Sequence, residues 1–153
     1  HIGLTPQSAT MLGGFKAQGR TGVKARALFA DALALQQAGC FAIVLEAVPA
    51  RVAARISAGL RIPTIGIGAG VECDGQVLVW HDLLGIGEGR SPRFVKRYGE
   101  VGAEIRRAIE NYALDVRSGL FPGPEHTYNI PDAEFEILQS EFEPAVRAGE
   151  DWL

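Results

Sequence analysis

Apolar residues recur along this chain with two different periods, and together they predict helices that alternate with buried strands. A helical period runs from Thr21, at the N-cap position, to Gly39, just beyond the last turn. Its apolar positions, spaced i, i+3, i+4 and i+7, are Ala25, Leu28, Phe29 and Ala32. The continuous apolar run Phe41–Leu45 follows at once and indicates a parallel strand that is covered on both faces.

The same alternation continues through the next 40 or so residues. Pro49 precedes a short amphipathic helix over Val52–Leu60, and Ile62–Ile67 predicts the next strand. After the turn at Asp74–Gly75, the β-prone run Gln76–Trp80 predicts a third strand. A further strand is expected to end just before His1.

Two helices are predicted in the last third of the chain. Ser91 as N-cap and Pro92 as first helical residue begin the longer helix, which ends at Gly119. Its apolar positions, at steps of three or four, are Phe94, Tyr98, Val101, Ile105, Ile109, Tyr112 and Val116. Asp132 is the expected cap of a final helix with the apolar stripe Phe135, Leu138 and Phe142.

Strands joined by helices predict an α/β fold with a parallel sheet, either open and doubly wound or closed into a barrel. The periodicity leaves both architectures possible. So few strands cannot close a barrel of eight, and a half-barrel would leave apolar faces and sheet edges uncovered. We therefore expect a polypeptide segment outside this chain to cover them.

The composition argues against several classes of function. The net charge of −3, with both signs interspersed, gives no electrostatic footprint for nucleic acid or an anionic membrane, and no apolar run has the length of a membrane span. Cys40 and Cys73 are too few for a disulfide framework, which favours a reducing, cytoplasmic setting.

Glu46 is the leading catalytic candidate because it comes directly after the apolar run Phe41–Leu45. In a barrel the carboxyl ends of the strands open onto the active-site face. A carboxyl group beside buried strand ends is desolvated, so its pKa rises and it can exchange protons near neutral pH. The alternative is a glutamate that only caps or pairs at the strand end.

The glycines Gly66, Gly68 and Gly70 do not fit a nucleotide-binding motif. The third glycine of a dinucleotide fingerprint would fall at Val71, and no Gly-Lys-Ser/Thr sequence follows. Tight turn geometry is one interpretation of these glycines, and close approach of the backbone to a ligand is the other.

Three histidines remain as candidates. His81 and Asp82, expected at the end of the third strand, are a possible proton shuttle or metal pair, but Asp82 as the cap of the following turn is the simpler interpretation. His126 has no second ligand at zinc-like spacing and is interpreted as structural or solvent-facing. His1 begins a short loop, and its position alone indicates little.

Six stretches of the chain together resemble the ketopantoate hydroxymethyltransferase family, in the order that the family has them. They are His1–Gln7, Gly13–Gly19, Val44–Pro49, Ile62–Gly70, Cys73–Val79 and His81–Asp82. The resemblance covers the second half of the family's sequence. It implies the second half of a (β/α)8 TIM barrel of the phosphoenolpyruvate mutase and isocitrate lyase group, plus C-terminal helices, within a homo-oligomer, commonly a decamer.

The resemblance also implies a reaction and its residues. In the family, 3-methyl-2-oxobutanoate takes a hydroxymethyl group from 5,10-methylenetetrahydrofolate to give ketopantoate, on the route to pantothenate and coenzyme A, with Mg²⁺ bound to the oxo acid. The family's proton acceptor maps onto Glu46, and His1 maps to a strand exit that lines the substrate pocket. On this basis residues 1–153 are expected to form one domain, with barrel elements to about residue 118 and a loop and terminal helix over 119–153.

The family's metal carboxylates and substrate-contacting lysine belong to its first half, before the motif at His1. We therefore expect the Mg²⁺ ligands, none of them in this chain, on an N-terminal half that exists as a separate or cleaved piece. Two alternatives stay open: a related Mg²⁺-dependent oxo-acid lyase or mutase barrel, and a non-catalytic half-barrel that only supports assembly.

Overall fold

The structure is a computed structural model, and it describes residues 1–8, 10–11, 13–87, 89 and 91–141. Its helices and strands, in chain order, are β1 Ile2–Gly3, α1 Gly22–Gln37, β2 Ile43–Glu46, α2 Ala50–Ser57, β3 Thr64–Ile67, β4 Gly75–Gln76, α3 Trp80–Leu83, α4 Val101–Ser118 and α5 Asp132–Glu141. Short 3-10 turns occupy Pro6–Ser8 and Pro124–His126.

The chain divides into two compact units, His1–Arg106 and Arg107–Leu153, with the boundary inside α4. The first unit holds the sheet with α1, α2 and α3. The second unit holds the rest of α4, the turn at Pro124–His126 and α5. The single-domain organisation expected from the sequence stays a prediction.

Helix α1 begins and ends where the sequence predicts. The Thr21 hydroxyl accepts a hydrogen bond from the backbone N–H of Lys24 (3.3 Å), which satisfies one of the free donors of the first turn. Gly39 follows the last turn with φ +92°, a conformation that strains residues with a Cβ. Both capping predictions are confirmed, and Ala32 is the residue of α1 that is fully buried.

The four strands form one parallel sheet in the order β1-β2-β3-β4. This confirms the predicted α/β fold with a parallel sheet, while the barrel stays a prediction. The first strand differs from the expectation in its end, which lies at Gly3 and not just before His1. Ile2 and Gly3 pair in register with Leu45 and Glu46, so backbone pairing with β2 recruits residues that the sequence analysis assigned to a loop.

The two faces of this sheet have different surroundings. Side chains alternate between the faces along each strand, and in-register neighbours share a face. The core face packs against α1 and α2 and is buried; it consists of Ile2, Ile43, Leu45 and Thr64. The open face is only partly covered by the described residues and consists of His1, Val44, Glu46, Ile65 and Ile67, of which Ile67 is buried.

One strand prediction and one helix prediction need correction. Phe41 was expected inside a strand covered on both faces, but β2 begins at Ile43 and the Phe41 side chain is 89% exposed. Helix α2 spans Ala50–Ser57 rather than Val52–Leu60, since Pro49 takes the N-cap position.

The predicted third strand is wrong over most of its length. Pairing in β4 covers only Gly75–Gln76, and Trp80 begins helix α3. Strand β3 ends at Ile67 and the chain turns at Gly68. Beyond the bond from the Val77 N–H to the Gly66 carbonyl (3.0 Å), the described part of the chain therefore pairs no further backbone with this run. His81 and Asp82 therefore lie inside a helix and not at a strand end.

The long helix begins ten residues later than Ser91, at Val101. Backbone donors of the preceding segment are used in tertiary bonds: Tyr98 N–H donates to the Leu83 carbonyl (2.8 Å), and Val101 N–H to the Leu84 carbonyl (2.9 Å). Gly99 further disfavours a helix there. The C-terminal end at Gly119, where φ is +71°, is confirmed.

The final helix, α5, begins at Asp132 as predicted to within one residue. Phe135 and Leu138 of its apolar stripe lie in the helix, whereas Phe142 lies outside the described residues. Of the helices in the described ranges, none is both long enough and apolar enough to cross a lipid bilayer.

Candidate functional site

Glu46 is the last residue of β2, at the carboxyl end of the parallel sheet. Its backbone carbonyl accepts a hydrogen bond from the N–H of Leu4 (2.8 Å). The next residue, Ala47, has φ +50°, an uncommon conformation for a residue with a Cβ, and its N–H donates to the Ile67 carbonyl (2.9 Å). Neighbouring strand ends thus fix the backbone on both sides of the Glu46 side chain.

The Glu46 carboxyl group is largely withdrawn from solvent but has a polar neighbour. Its side chain is 15% exposed, and this burial raises the pKa of Glu46 above the usual range for a glutamate. The Nε2 atom of His1 lies 3.2 Å from Glu46 Oε2. The structure therefore brings together the two site residues predicted from the sequence, and the pKa direction expected for Glu46 is confirmed.

The glycine-rich turn after β3 lies next to this carboxyl edge and is tightly packed. Gly68 and Gly70 have φ of +64° and +90°, and an added Cβ would lie 2.6 Å from Phe94 at Gly68 and 2.5 Å from Ala50 at Gly70. These glycines are thus explained by turn geometry and packing, the simpler of the two interpretations. The amide of Gln76, which sequence reasoning missed, donates to the Gly70 carbonyl (2.8 Å) and holds the turn.

A second polar contact that sequence reasoning missed joins Thr64 of the core face to the exposed Asp74. Asp74 accepts hydrogen bonds from the backbone N–H of Thr64 (2.8 Å) and from its hydroxyl (3.0 Å), and these bonds lower the pKa of Asp74. The Thr64 oxygen is also 2.7 Å from that of Ser57. The only signal in the sequence was a threonine at an otherwise apolar strand position, so this cluster is interpreted as structural.

The remaining histidines lie elsewhere. His81 is exposed in α3 with its ring 4.3 Å from that of Trp80, and Asp82 lies beside it in the helix rather than capping a turn. His126 accepts a hydrogen bond from the Gly123 N–H (3.2 Å), which confirms its structural interpretation. In the part of the chain that the structure describes, His1 is the one polar side chain recorded in contact with Glu46.

The described residues offer no ready metal site. Within the described ranges, no group of three or more His, Cys, Asp or Glu side chains is arranged to hold a metal ion. A cavity of about 610 Å³ lies between α1 and α2, on the other side of the sheet from Glu46. Its lining is apolar apart from Arg26, Arg51 and Arg55, and it includes no residue of the open face.

A carboxyl group with a raised pKa, beside an imidazole and at the carboxyl edge of a parallel sheet, has the properties of a general base. Strand ends of this kind are where α/β enzymes place their chemistry. The chain thus combines an α/β fold with a strand-end carboxyl group whose position and pKa direction suit proton transfer.

Comparison with known sequences identifies the family. The sequence model of ketopantoate hydroxymethyltransferase matches residues 1–124, so the chain belongs to this family. A relative from Nitratidesulfovibrio vulgaris strain DP4, named 3-methyl-2-oxobutanoate hydroxymethyltransferase, is 56% identical over 140 residues. Relatives of the same name from Syntrophotalea carbinolica and Mycobacterium ulcerans are 58% and 57% identical over 129 and 128 residues.

These alignments cover most of this chain but only part of each relative. The matched region is 92% of this chain and 46% of the Nitratidesulfovibrio protein. The corresponding shares are 84% and 48% for Syntrophotalea, and 84% and 43% for Mycobacterium ulcerans. The chain therefore spans about half the length of the curated relatives that it matches.

Proposed function

We propose that the protein containing this chain transfers a hydroxymethyl group from 5,10-methylenetetrahydrofolate to 3-methyl-2-oxobutanoate, giving ketopantoate. One observation carries the proposal: the largely buried Glu46 carboxyl, with its raised pKa, lies at the sheet's carboxyl edge beside His1. Family membership supports the acceptor and the transferred group, because the relatives are named 3-methyl-2-oxobutanoate hydroxymethyltransferase. In the proposal Glu46 is the proton acceptor.

We further propose that the four strands are the second half of a (β/α)8 barrel whose interior is the open face. Val44 and Ile65 of that face are only partly buried by the described residues, which leaves apolar surface for the first half of the barrel to cover. The partner is then the N-terminal half of the same protein, and homo-oligomers of the completed barrel follow from the family resemblance.

The role of Glu46 follows from the substrate's chemistry. Its carboxylate takes the proton from C3 of 3-methyl-2-oxobutanoate, and the electron pair of that C–H bond becomes the new bond to the methylene carbon. Both C–N bonds from this carbon to the folate break, and one water molecule supplies the hydroxyl group of the product. The two folate nitrogens each gain one proton: one is the C3 proton that Glu46 returns, and the other comes from the water molecule. Burial of Glu46 makes its charged form less stable, so the carboxylate is a stronger base than one in water.

His1 is proposed as a substrate-binding residue. Its Nε2 lies on the open face, 3.2 Å from the Glu46 carboxyl, where an N–H group can donate either to that carboxyl or to an oxygen of the oxo acid. Such a bond would orient the substrate so that its C3–H points at Glu46.

Mg²⁺ is proposed as the cofactor, but the described residues of this chain do not form a site for it. Its ligands are expected on the N-terminal half. When bound to the 2-oxo acid, the ion would draw charge from the carbonyl group and make the neighbouring C–H more acidic.

The proposal is tested with the assembled protein, meaning this chain together with the polypeptide that completes its sheet. Glu46→Gln keeps the size of the side chain but removes the base, so ketopantoate formation should fall about 10²- to 10⁴-fold. Glu72→Gln is the matched control, because Glu72 is exposed in the loop before β4. If Glu46→Gln turns over within a factor of about two of the control, Glu46 is not the general base.

A further inference from the structure

We propose that three side chains of the segment Ser91–Tyr98 bind the anionic glutamate tail of the folate donor. These side chains, Arg93, Lys96 and Tyr98, are called the basic rim. The inference rests on the proposed function, since it assigns the part of the site that receives the second substrate. It adds a binding surface outside the Glu46 and His1 pair.

The segment lies at the same edge of the sheet as Glu46. The Phe94 ring packs on the backbone of Gly68, so closely that an added Cβ there would lie 2.6 Å from the ring. Gly68 directly follows Ile67, whose carbonyl accepts the N–H of Ala47, the residue after Glu46 (2.9 Å). The contact between Phe94 and Gly68 therefore places the segment beside the end of β3, the strand that pairs with the end of β2 where Glu46 lies.

Hydrogen bonds hold the segment in place at both ends. The N–H of Val95 donates to the Pro92 carbonyl (3.0 Å), which closes a turn, and the N–H of Tyr98 donates to the Leu83 carbonyl (2.8 Å). The Arg97 guanidinium donates to the Ser91 hydroxyl (3.2 Å), joining the two ends of the segment. A surface that is already ordered loses less conformational entropy when it binds a ligand.

The charges of the basic rim are available to a ligand. Arg97 is 3.5 Å from the Glu100 carboxyl, but within the described residues neither Arg93 nor Lys96 has a carboxylate partner. Both side chains are exposed, in a chain whose net charge is −3. The Lys96 ammonium lies 4.9 Å from the centre of the Tyr98 ring, and that tyrosine is 69% exposed.

This combination fits the far end of a folate. The methylene carbon that reacts is attached to the pterin ring system, and an aminobenzoyl group leads from there to one or more glutamates. With the pterin near Glu46, the tail extends outward over the sheet's edge. Two unpaired cations complement its carboxylates, and the exposed Tyr98 ring offers a stacking surface for the aminobenzoyl ring.

The test compares donors that differ only in the tail. With the assembled protein, KM is measured for monoglutamyl and tetraglutamyl 5,10-methylenetetrahydrofolate. We expect the lower KM for the tetraglutamyl donor, and the double variant Arg93→Gln/Lys96→Gln should raise that KM about fivefold, as expected for the loss of two exposed ion pairs. The KM for 3-methyl-2-oxobutanoate should not change. Arg26→Gln/Arg51→Gln, at the cavity between α1 and α2, removes the same charge elsewhere and should have no effect.

A salt titration of the unsubstituted protein tests the same charge interaction between the basic rim and the glutamate tail without any variant. Rising ionic strength should raise the tetraglutamyl KM toward the monoglutamyl value, because exposed charges are screened. Equal KM values for the two donors, or a ratio that does not depend on salt, would overturn the basic rim while leaving the transfer reaction intact. If the unsubstituted assembly forms no ketopantoate from either donor, the proposed function itself fails and this inference fails with it.

Discussion

The two faces of the sheet use the same strands for different purposes. On the core face, Ile43, Leu45 and Thr64 are all at most 1% exposed, and the one polar side chain has its hydrogen-bond partners. On the open face, Val44 is only partly buried, and the one polar neighbour of the Glu46 carboxyl among the described residues is His1.

Within the four residues of β2, the core-face side chains stabilise the fold and the open face carries the proposed base. The side chains of Ile43 and Leu45 pack in the core against the helices, whereas the Glu46 side chain lies on the open face beside His1. A desolvated carboxyl with few partners is costly in the folded state, which is the condition that makes it useful as a base. The predictions below test this division of roles.

The largest difference is expected between neighbouring residues of β2. Leu45→Ala removes a fully buried side chain from the core face and should lower the free energy of unfolding by about 2 to 5 kcal/mol. In this chain without the proposed N-terminal half, Val44→Ala on the open face should lower it by about 1 kcal/mol or less, because that side chain is only partly buried. Urea unfolding followed by circular dichroism measures both, and similar losses for the two variants would contradict the division of the faces.

A smaller effect is expected at the polar position of the core face. Thr64→Val keeps the shape of the side chain but removes the oxygen that contacts Ser57 and Asp74, so the free energy of unfolding should fall by about 1 to 3 kcal/mol. Thr127→Val is the control, since the Thr127 hydroxyl is exposed and donates only to the Pro124 carbonyl (2.8 Å). A loss at Thr64 no larger than at Thr127 would mean that the buried cluster does not stabilise the sheet.

The smallest effect concerns the stability of the site itself as a function of pH. The pKa of Glu46 is raised in the folded chain, so the folded state binds this proton more tightly than the unfolded state does. The parent protein should therefore lose stability as pH rises through the raised pKa, and Glu46→Gln should not.

The stability gained by Glu46→Gln should thus appear above the raised pKa and vanish below the ordinary pKa of a glutamate. Thermal unfolding of the parent and the variant across this pH range measures the difference. A variant that is less stable than the parent at neutral pH would indicate that Glu46 is stabilised in the fold, contrary to the open-face description.

Local patterns predicted the parts of the fold that local forces decide. Thr21 and Gly39 bound α1 because capping chemistry acts within one turn, and the apolar run before Glu46 became β2 because its residues bury one face. Glu46 itself could be found because a charged residue at the end of such a run is conspicuous. Its raised pKa followed from the same position.

The failures arose where distant residues decide the structure. Gln76–Trp80 has the composition of a strand, but β3 turns away at Gly68 and leaves it without a pairing neighbour. Ser91–Pro92 has the signature of a helix start, but the backbone donors that follow bind carbonyls at the end of α3. Gln76 was missed as a support of the glycine-rich turn because its acceptor, Gly70, is fixed only by the folded turn.

The most direct test of the account is removal of the C3 proton by Glu46. The assembled protein is incubated in D2O with 3-methyl-2-oxobutanoate and Mg²⁺ but without folate, and loss of the C3–H signal is followed by proton NMR. The account predicts exchange with the unsubstituted protein and with Glu72→Gln, and a rate about 10²- to 10⁴-fold lower with Glu46→Gln. Equal exchange by Glu46→Gln and Glu72→Gln would contradict the assignment of the open-face carboxyl as the base.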